Sequence, residues 1–189
     1  MPNPIVVYDA CVLYPAGLRS ALMYIGLAGI VKVRWSEAIH DEWIRNVLQD
    51  RRDIPREQLE RTRRLMNAAI PDSSVVRYEG LIEKLELPDP DDRHVLAAAI
   101  HAEAEIIVTF NTKDFPKRVL APYSIETRTP DAFVLRLLDA HPIQVVEALH
   151  IDRASKKRHR RSAEEYLEAL VAQKLPRTSA ALRHHLEDL

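Results

Sequence analysis

Residues 91–115 read DDRHVLAAAIHAEAEIIVTFNTKDF, and this stretch decides the fold class. Its second half contains EIIVTF at 105–110, an apolar run without alternation that is typical of a strand buried on both faces of a parallel sheet. The alanine-rich run before it, from Val95 to about Glu103, is predicted as a helix. A helix that leads directly into a buried strand indicates one unit of an α/β fold.

The same alternation of helix and strand patterns extends through most of the chain. IVVY at 5–8 and VKVRW at 31–35 are predicted strands, and a helix pattern over 18–27 lies between them. Two shorter strands are predicted at 74–78 and 124–128. Further helices are predicted to begin at Ser36, Pro55 and Pro130. The sequence therefore predicts an α/β domain with a parallel β-sheet flanked by helices.

The strand patterns stop after residue 138, and only helix patterns follow. We therefore predict a sheet domain over residues 1–138 and a C-terminal helical extension over residues 139–189. In the extension, Ser162 and Glu165 have the spacing of a capping box, so a helix should begin there. The residues predicted along one face of that helix are Leu167, Leu170, Val171 and Lys174, with Pro176 at its end.

Composition excludes several functional classes. Apolar residues make up 47% of the 189 residues, which is too many for a disordered chain. The net charge is −1, so any contact with a polyanion must come from a local basic patch. The single cysteine, Cys11, excludes an intrachain disulfide framework and fits a reducing compartment. Because we find neither a signal-peptide pattern nor a bilayer-spanning apolar run, we expect a cytoplasmic protein without a membrane partner.

Four carboxylates occupy positions from which they could form one site. Asp9 and Asp114 each follow a predicted strand, and ligands of parallel sheets bind at the carboxyl ends of the strands. Glu42 and Asp92 lie at the edges of apolar helix faces. Carboxylates that lie close together repel one another unless they are protonated or neutralised by a cation. Ligands that are all oxygen favour Mg²⁺ or Mn²⁺, and such a site suits phosphodiester hydrolysis.

Each of these acids also has a purely structural interpretation. Asp91 or Asp92 could be an ordinary helix cap, because aspartate is a preferred N-cap residue. Asp9 and Asp114 could be turn residues, and Glu42 could be a partly solvated helix acid. On spacing alone the metal site and the structural roles both stay open, as does the choice between Asp91 and Asp92.

Asp9 after IVVY, Glu42 in SEAIHDEW and the segment 91–115 together resemble the PIN-domain ribonucleases, in particular the VapC-like toxins of type II toxin–antitoxin pairs. The resemblance covers roughly residues 4–138. It implies an endoribonuclease that hydrolyses RNA at a four-carboxylate Mg²⁺ or Mn²⁺ site, and a cognate antitoxin as a protein partner. A homodimer is a further option. The catalytic and metal-binding residues that it implies are Asp9, Glu42, Asp92 and Asp114, with Asn111, Thr112 and Asp91 as candidate helpers.

One basic run, SKKRHRR at 155–161, lies in the extension. Such a run could contact RNA phosphates, because neutralised phosphates release counterions. The residues predicted for this contact are Lys156, Lys157, Arg158, Arg160 and Arg161. A solvated connector between two helices is the alternative interpretation. For the whole protein, a non-catalytic RNA- or protein-binding module with the same fold is the alternative to a nuclease.

Overall fold

The computed structural model describes residues 3–157 and 160–189, and within them five strands form one parallel sheet. The strands are β1 (Ile5–Tyr8), β2 (Lys32–Ser36), β3 (Ser74–Val75), β4 (Ile106–Val108) and β5 (Glu126–Arg128). They pair in the order β3-β2-β1-β4-β5, so the first strand of the chain lies at the centre. There Val6 pairs with Val33 on one side and with Ile106 on the other. The predicted parallel sheet is confirmed.

Helices connect the strands and continue beyond the last one. Those that alternate with the strands are α1 (Ala10–Leu13), α2 (Ala16–Leu27), α3 (Glu37–Asp50), α4 (Arg56–Ala69), α5 (Glu79–Ile82), α6 (Arg93–His101) and α7 (Lys117–Leu120). Those that follow the sheet are α8 (Pro130–Ala140), α9 (Pro142–Ser155), α10 (Ala163–Ala172) and α11 (Pro176–Leu182). Short 3₁₀ turns lie at Pro71–Ser73, Pro90–Asp92, Thr112–Asp114, Ala121–Tyr123 and Arg183–His185.

The burial of the central strands explains their sequences. Val6, Val7 and Tyr8 of β1 are all fully buried, although their side chains alternate between the two faces of the sheet. Both faces are therefore covered, which is why the run has no polar alternation. The alanine-rich part of α6 is buried in the same way and contacts β1, β2 and β4. Small side chains allow this helix to lie close to the sheet.

The predicted strands away from the centre are shorter in the structure than in the sequence analysis. The strand predicted over 74–78 is limited to Ser74–Val75, because Arg77 has a φ of 65° in the left-handed region. The strand predicted over 124–128 begins two residues late because Ser124 has a φ of 56°. The backbone conformation of a single residue limits each of these strands, and the apolar pattern of the sequence does not indicate that conformation.

The predicted capping box at the start of α10 is confirmed. The Ser162 hydroxyl accepts the Glu165 N–H at 3.2 Å, and the Glu165 carboxylate accepts the Ser162 N–H at 2.8 Å. The predicted apolar face was wrong at Val171, which is 48% exposed, and it omitted the buried Tyr166. The helix ends before Pro176, which begins α11 instead.

The helices after the sheet share its hydrophobic core. Helix α9 packs along α2, and α11 packs against α8, which itself runs through residue 138 to Ala140. The division of the chain at residue 138 stays a prediction. Within the described residues, no helix combines the length and apolar character needed to cross a membrane.

Candidate functional site

Polar side chains gather at the edge where the carboxyl ends of β1 and β4 meet. Asp9 follows β1 directly, and its backbone N–H donates to the Val108 carbonyl at the end of β4, at 3.1 Å. Asp9 is also the N-cap residue of α1, and it is only 2% exposed. A carboxylate is therefore held at the centre of the sheet edge, where ligands of parallel sheets bind.

Two neighbouring side chains fix the orientation of the Asp9 carboxylate. The Thr109 hydroxyl donates to its Oδ2 at 2.6 Å, and the Cys11 thiol donates to the same oxygen at 3.0 Å. Thr109 and Cys11 also accept backbone N–H groups of the next segment, from Asn111 at 2.9 Å and from Phe110 at 3.3 Å. Both donors bind one oxygen of Asp9, and both tie it to the segment after β4.

Burial shifts the protonation of both groups in this pair. It raises the pKa of the Asp9 carboxyl, and the negative charge of Glu42 adds to the shift, whereas the bonds from Thr109 and Cys11 oppose it. Burial and the charge of Asp9 together raise the pKa of the Cys11 thiol well above its ordinary range. Cys11 therefore stays protonated at neutral pH and acts as a hydrogen-bond donor to Asp9, and not as a thiolate nucleophile.

Asp92 lies at the junction between a short turn, Pro90–Asp92, and α6. Asp89 caps that turn, because its carboxylate accepts the N–H of Asp91 at 2.9 Å. Asp92 occupies the N-cap position of α6, but its side chain makes no capping hydrogen bond within the described residues. The interpretation of Asp92 as an ordinary cap is therefore wrong. Asp91 is exposed.

The Asp92 carboxyl is buried among other negative charges. Asp92 is 8% exposed, and its Oδ2 has no hydrogen-bond partner in the described part of the chain. Burial raises the pKa of Asp92 to about 7, and nearby negative charges add to the shift. Those charges, from the largest effect to the smallest, are Asp9, Asp89, Asp114 and Glu42. The other three predicted site acids thus all act on Asp92, as does Asp89, which the sequence analysis did not identify.

Glu42 and Asp114 approach this cluster from two other elements. Glu42 lies on α3, and a hydrogen bond of 3.0 Å joins its Oε2 to Nε2 of His94 on α6. Asp114 ends the turn Thr112–Asp114 after β4 and is half-buried. His94 was not predicted as a site residue.

The other predicted residues differ in their exposure and in their contacts. Asn111 is exposed and reaches the site through its backbone bond to Thr109, while Thr112 is half-buried. In the basic run, the Lys156 ammonium is engaged by the Asp152 carboxylate at 2.6 Å. Lys157, Arg160 and Arg161 are exposed. Arg158 lies outside the described residues.

The acids are suitable ligands for a hard divalent cation, although those in the described residues do not form a complete metal-binding site. In residues 3–157 and 160–189, no group of three His, Cys, Asp or Glu side chains is arranged to hold a metal ion. The donors are oxygens, and the buried, unpartnered Oδ2 of Asp92 is the kind of atom that a ligand would satisfy.

A parallel α/β domain with buried acids at the carboxyl edge of its central strands defines a class of α/β proteins that bind ligands at that edge. Within this class the chain belongs to the PIN-domain family. The family model described as PIN domain matches residues 5–113, more than half of the 189 residues. A second model, described as VapC50 C-terminal domain, matches residues 130–184.

One curated protein and the solved structures complete the comparison. The chain is 54% identical over 50 residues to "Putative ribonuclease VapC50" of Mycobacterium tuberculosis, strain H37Rv. The matched stretch covers 26% of this chain and 30% of that protein. No solved structure matches the chain.

Proposed function

We propose that this protein is a Mg²⁺- or Mn²⁺-dependent endoribonuclease that hydrolyses RNA phosphodiester bonds and is the toxin of a toxin–antitoxin pair. Membership of the PIN-domain family supports a nuclease. The match of residues 130–184 to the VapC50 C-terminal domain, and the partial identity to a protein named as a ribonuclease, support the VapC-like assignment. The partners of this function are RNA and a cognate antitoxin, with a second copy of the chain as a further option.

The observation that carries the proposal is the state of Asp92. A buried carboxyl with an unpartnered oxygen and with four like charges nearby is costly for the fold. Such an arrangement gains most from a ligand that is positive, small and oxygen-seeking. The residues that would hold this cation are Asp9, Glu42, Asp92 and Asp114. When bound, a divalent cation would supply a more acidic water and neutralise charge on the phosphate.

The protein itself orients and tunes these carboxylates. Thr109 and Cys11 both donate to one oxygen of Asp9 and so fix the orientation of its carboxylate. His94 holds Glu42 from the neighbouring helix. Asp92, whose pKa is about 7, can keep or release a proton near neutral pH in the metal-free protein. These contacts pre-orient the acids, which favours catalysis by positioning.

The test is cleavage of a single-stranded RNA by the purified protein with Mg²⁺ or Mn²⁺ and, separately, with EDTA. We expect cleavage only with the divalent ion. Asp92→Asn should lower the rate by about 100-fold or more, since positioned charges of this kind contribute on the order of 3 kcal/mol. Asp91→Asn is the matched control, because Asp91 is exposed, and it should keep the wild-type rate. Cleavage that survives both EDTA and Asp92→Asn would contradict the proposal.

A specific observation favours a second candidate, a non-catalytic RNA- or protein-binding module. Among the described residues no three acids are in a metal-holding arrangement. On this alternative the protein binds RNA or a protein partner, and neither Mg²⁺ nor Mn²⁺ produces cleavage. Tight RNA binding without any divalent-dependent product would therefore favour the second candidate over the first.

A further inference from the structure

Helix α10 ends in an unusual turn at Lys174. The Lys174 N–H donates to the Val171 carbonyl at 2.9 Å, and the Leu175 N–H donates to the Leu170 carbonyl at 3.0 Å. This pair of bonds is the Schellman ending of a helix, in which the residue at the Lys174 position is left-handed and is usually glycine. Lys174 has a φ of 64°. A lysine therefore occupies a strained position where glycine would be the better choice for stability.

The turn is fixed against the part of the chain that leads out of the acidic edge. The Gln173 side-chain oxygen accepts the N–H of Leu18 in the first turns of α2, at 3.2 Å. Gly17 allows this approach, because a Cβ added there would lie 3.0 Å from Gln173 Cδ. Leu175 is buried and anchors the other side of the turn. Lys174 is thus held in place from both sides, close to the helices that follow Asp9.

The Lys174 ammonium lies over the ring of Phe110, with 5.0 Å between Nζ and the ring centroid. Phe110 itself touches the site, since its backbone N–H donates to the Cys11 sulfur that bonds to Asp9. None of the ion pairs formed by residues 3–157 and 160–189 includes Lys174. An aromatic ring positions an ammonium without cancelling its charge. An ammonium that forms no ion pair among these residues therefore lies over the ring of the residue whose backbone N–H bonds to Cys11.

We propose that Lys174 binds a phosphate of the RNA that flanks the scissile phosphate, so that the C-terminal helices contribute a substrate-binding residue to the PIN domain. The inference rests on the proposed ribonuclease function. The acidic residues repel the RNA backbone. A cation that lies apart from them supplies the attraction that holds the RNA at the carboxyl edge of the sheet. The contact with Phe110 is weak enough for the ammonium to turn toward a phosphate.

The first test compares Lys174→Gln with wild type in RNA cleavage and in binding. We expect the KM for a short single-stranded RNA to rise roughly tenfold while kcat changes little, because the contact is to substrate. Binding of the same RNA, followed by fluorescence anisotropy with Asp92→Asn in both proteins, should weaken similarly. The slope of log affinity against log salt should fall by about 0.7, the value for one phosphate of a single strand.

Two variants serve as controls, one for the charge of the side chain and one for its position on the surface. Lys174→Arg keeps a cation and should restore most of the affinity. Lys32→Gln removes an exposed lysine at the opposite, amino end of β2 and should leave KM and the salt slope unchanged. The inference is overturned if Lys174→Gln has the wild-type KM and salt slope, or if Lys32→Gln lowers affinity equally.

Lys174→Gly separates a binding role from a structural one. Glycine relieves the left-handed backbone, so the melting temperature should rise while RNA binding weakens. If Lys174 only stabilised the fold, the melting temperature and the binding would fall together.

The outcome of these experiments also separates this inference from the proposed function. Cleavage by wild type that is indifferent to Lys174 overturns the inference alone, whereas Lys174-dependent binding without any cleavage overturns the nuclease and leaves the contact standing.

Discussion

Asp92 and Asp152 are both buried aspartates, but their surroundings are opposite. The Asp152 carboxylate accepts hydrogen bonds from Ser20, from the Lys156 ammonium at 2.6 Å and from the Tyr166 hydroxyl at 2.7 Å. Asp92 has one oxygen without any partner in the described chain and stands among like charges. A buried charge is tolerated when it is paired and hydrogen-bonded, and it destabilises the fold when it is not.

The difference indicates two uses of the same side chain. Asp152 connects α9 to α2 through Ser20 and to α10 through Tyr166, so it fastens the C-terminal helices to the sheet domain. The Asp92 Oδ2, by contrast, connects no elements through a hydrogen bond in the described chain, as the proposed metal site requires. The pairing also holds Lys156 in a half-buried position, so that among the predicted basic contacts that the structure describes, the exposed ones are Lys157, Arg160 and Arg161.

The largest expected effect on stability comes from removing the Asp152 carboxylate, whose hydrogen bonds are all made within the protein. Asp152→Ala should lower the free energy of unfolding by about 3–5 kcal/mol, because it leaves a half-buried ammonium and a buried phenol without their acceptor. Urea denaturation of the metal-free protein measures this. Asp139→Ala, at an exposed position of α8, is the control and should stay within about 0.5 kcal/mol of wild type. A loss below about 1 kcal/mol for Asp152→Ala would remove the distinction between the two aspartates.

The next effect has the opposite sign and concerns Asp92. An unfolded aspartate ionises near 3.8, whereas the native Asp92 ionises at about 7. Between these values the native protein binds the extra proton, so the contribution of Asp92 to the free energy of unfolding falls as the pH rises from about 4 to about 7. Asp92→Asn removes this penalty. Allowing for partial solvent screening, the variant should be more stable than wild type by about 2 kcal/mol at pH 8 and nearly equal to it at pH 4.

The measurement is urea denaturation of both proteins in EDTA across that pH range. Adding Mn²⁺ at pH 8 sharpens the comparison, because the ion should stabilise wild type and have little effect on Asp92→Asn. A stability difference between the two proteins that stays constant from pH 4 to pH 8 would contradict the assignment of the raised pKa to Asp92.

The smallest expected effect tests whether the C-terminal helices depend on more than Asp152. Ser162→Ala removes the capping box of α10 and should cost about 1 kcal/mol of unfolding free energy. Ser74→Ala, at an exposed strand position, is the control. If the Ser162 variant lost as much stability as Asp152→Ala, the cap and not the buried carboxylate would be the main fastening of this region.

The sequence predicted the centre of the sheet better than its edges. β1 and β4 are buried on both faces, so their apolar runs are unmistakable, whereas the strand predicted over 74–78 ends early at the left-handed Arg77. At the site, the strand ends indicated Asp9 and Asp114. Thr109 carried a signal that was not used, since it directly follows the buried run of β4.

Other site features had no signal in the sequence. The contacts of Cys11 with Thr109 and of His94 with Glu42 join residues that are 98 and 52 positions apart, and spacing does not report such contacts. Asp152 and Lys156 have the i, i+4 spacing of an ordinary exposed helix pair. Only the packing of α9 against α2 turns that pair into a buried one.

The hydrogen bond between Thr109 and Asp9 joins residues that are 100 positions apart. A ribosome that adds about 5–20 residues per second needs about 5–20 s to make the chain between them. During that interval β1 has no β4 beside it, because the central strand is synthesised first and its neighbour much later. A nascent chain that ends before Thr109 therefore carries Asp9 and Cys11 without the Thr109 hydroxyl that completes the orientation of the Asp9 carboxylate. The acidic edge is therefore assembled only after the strands that form it have been translated.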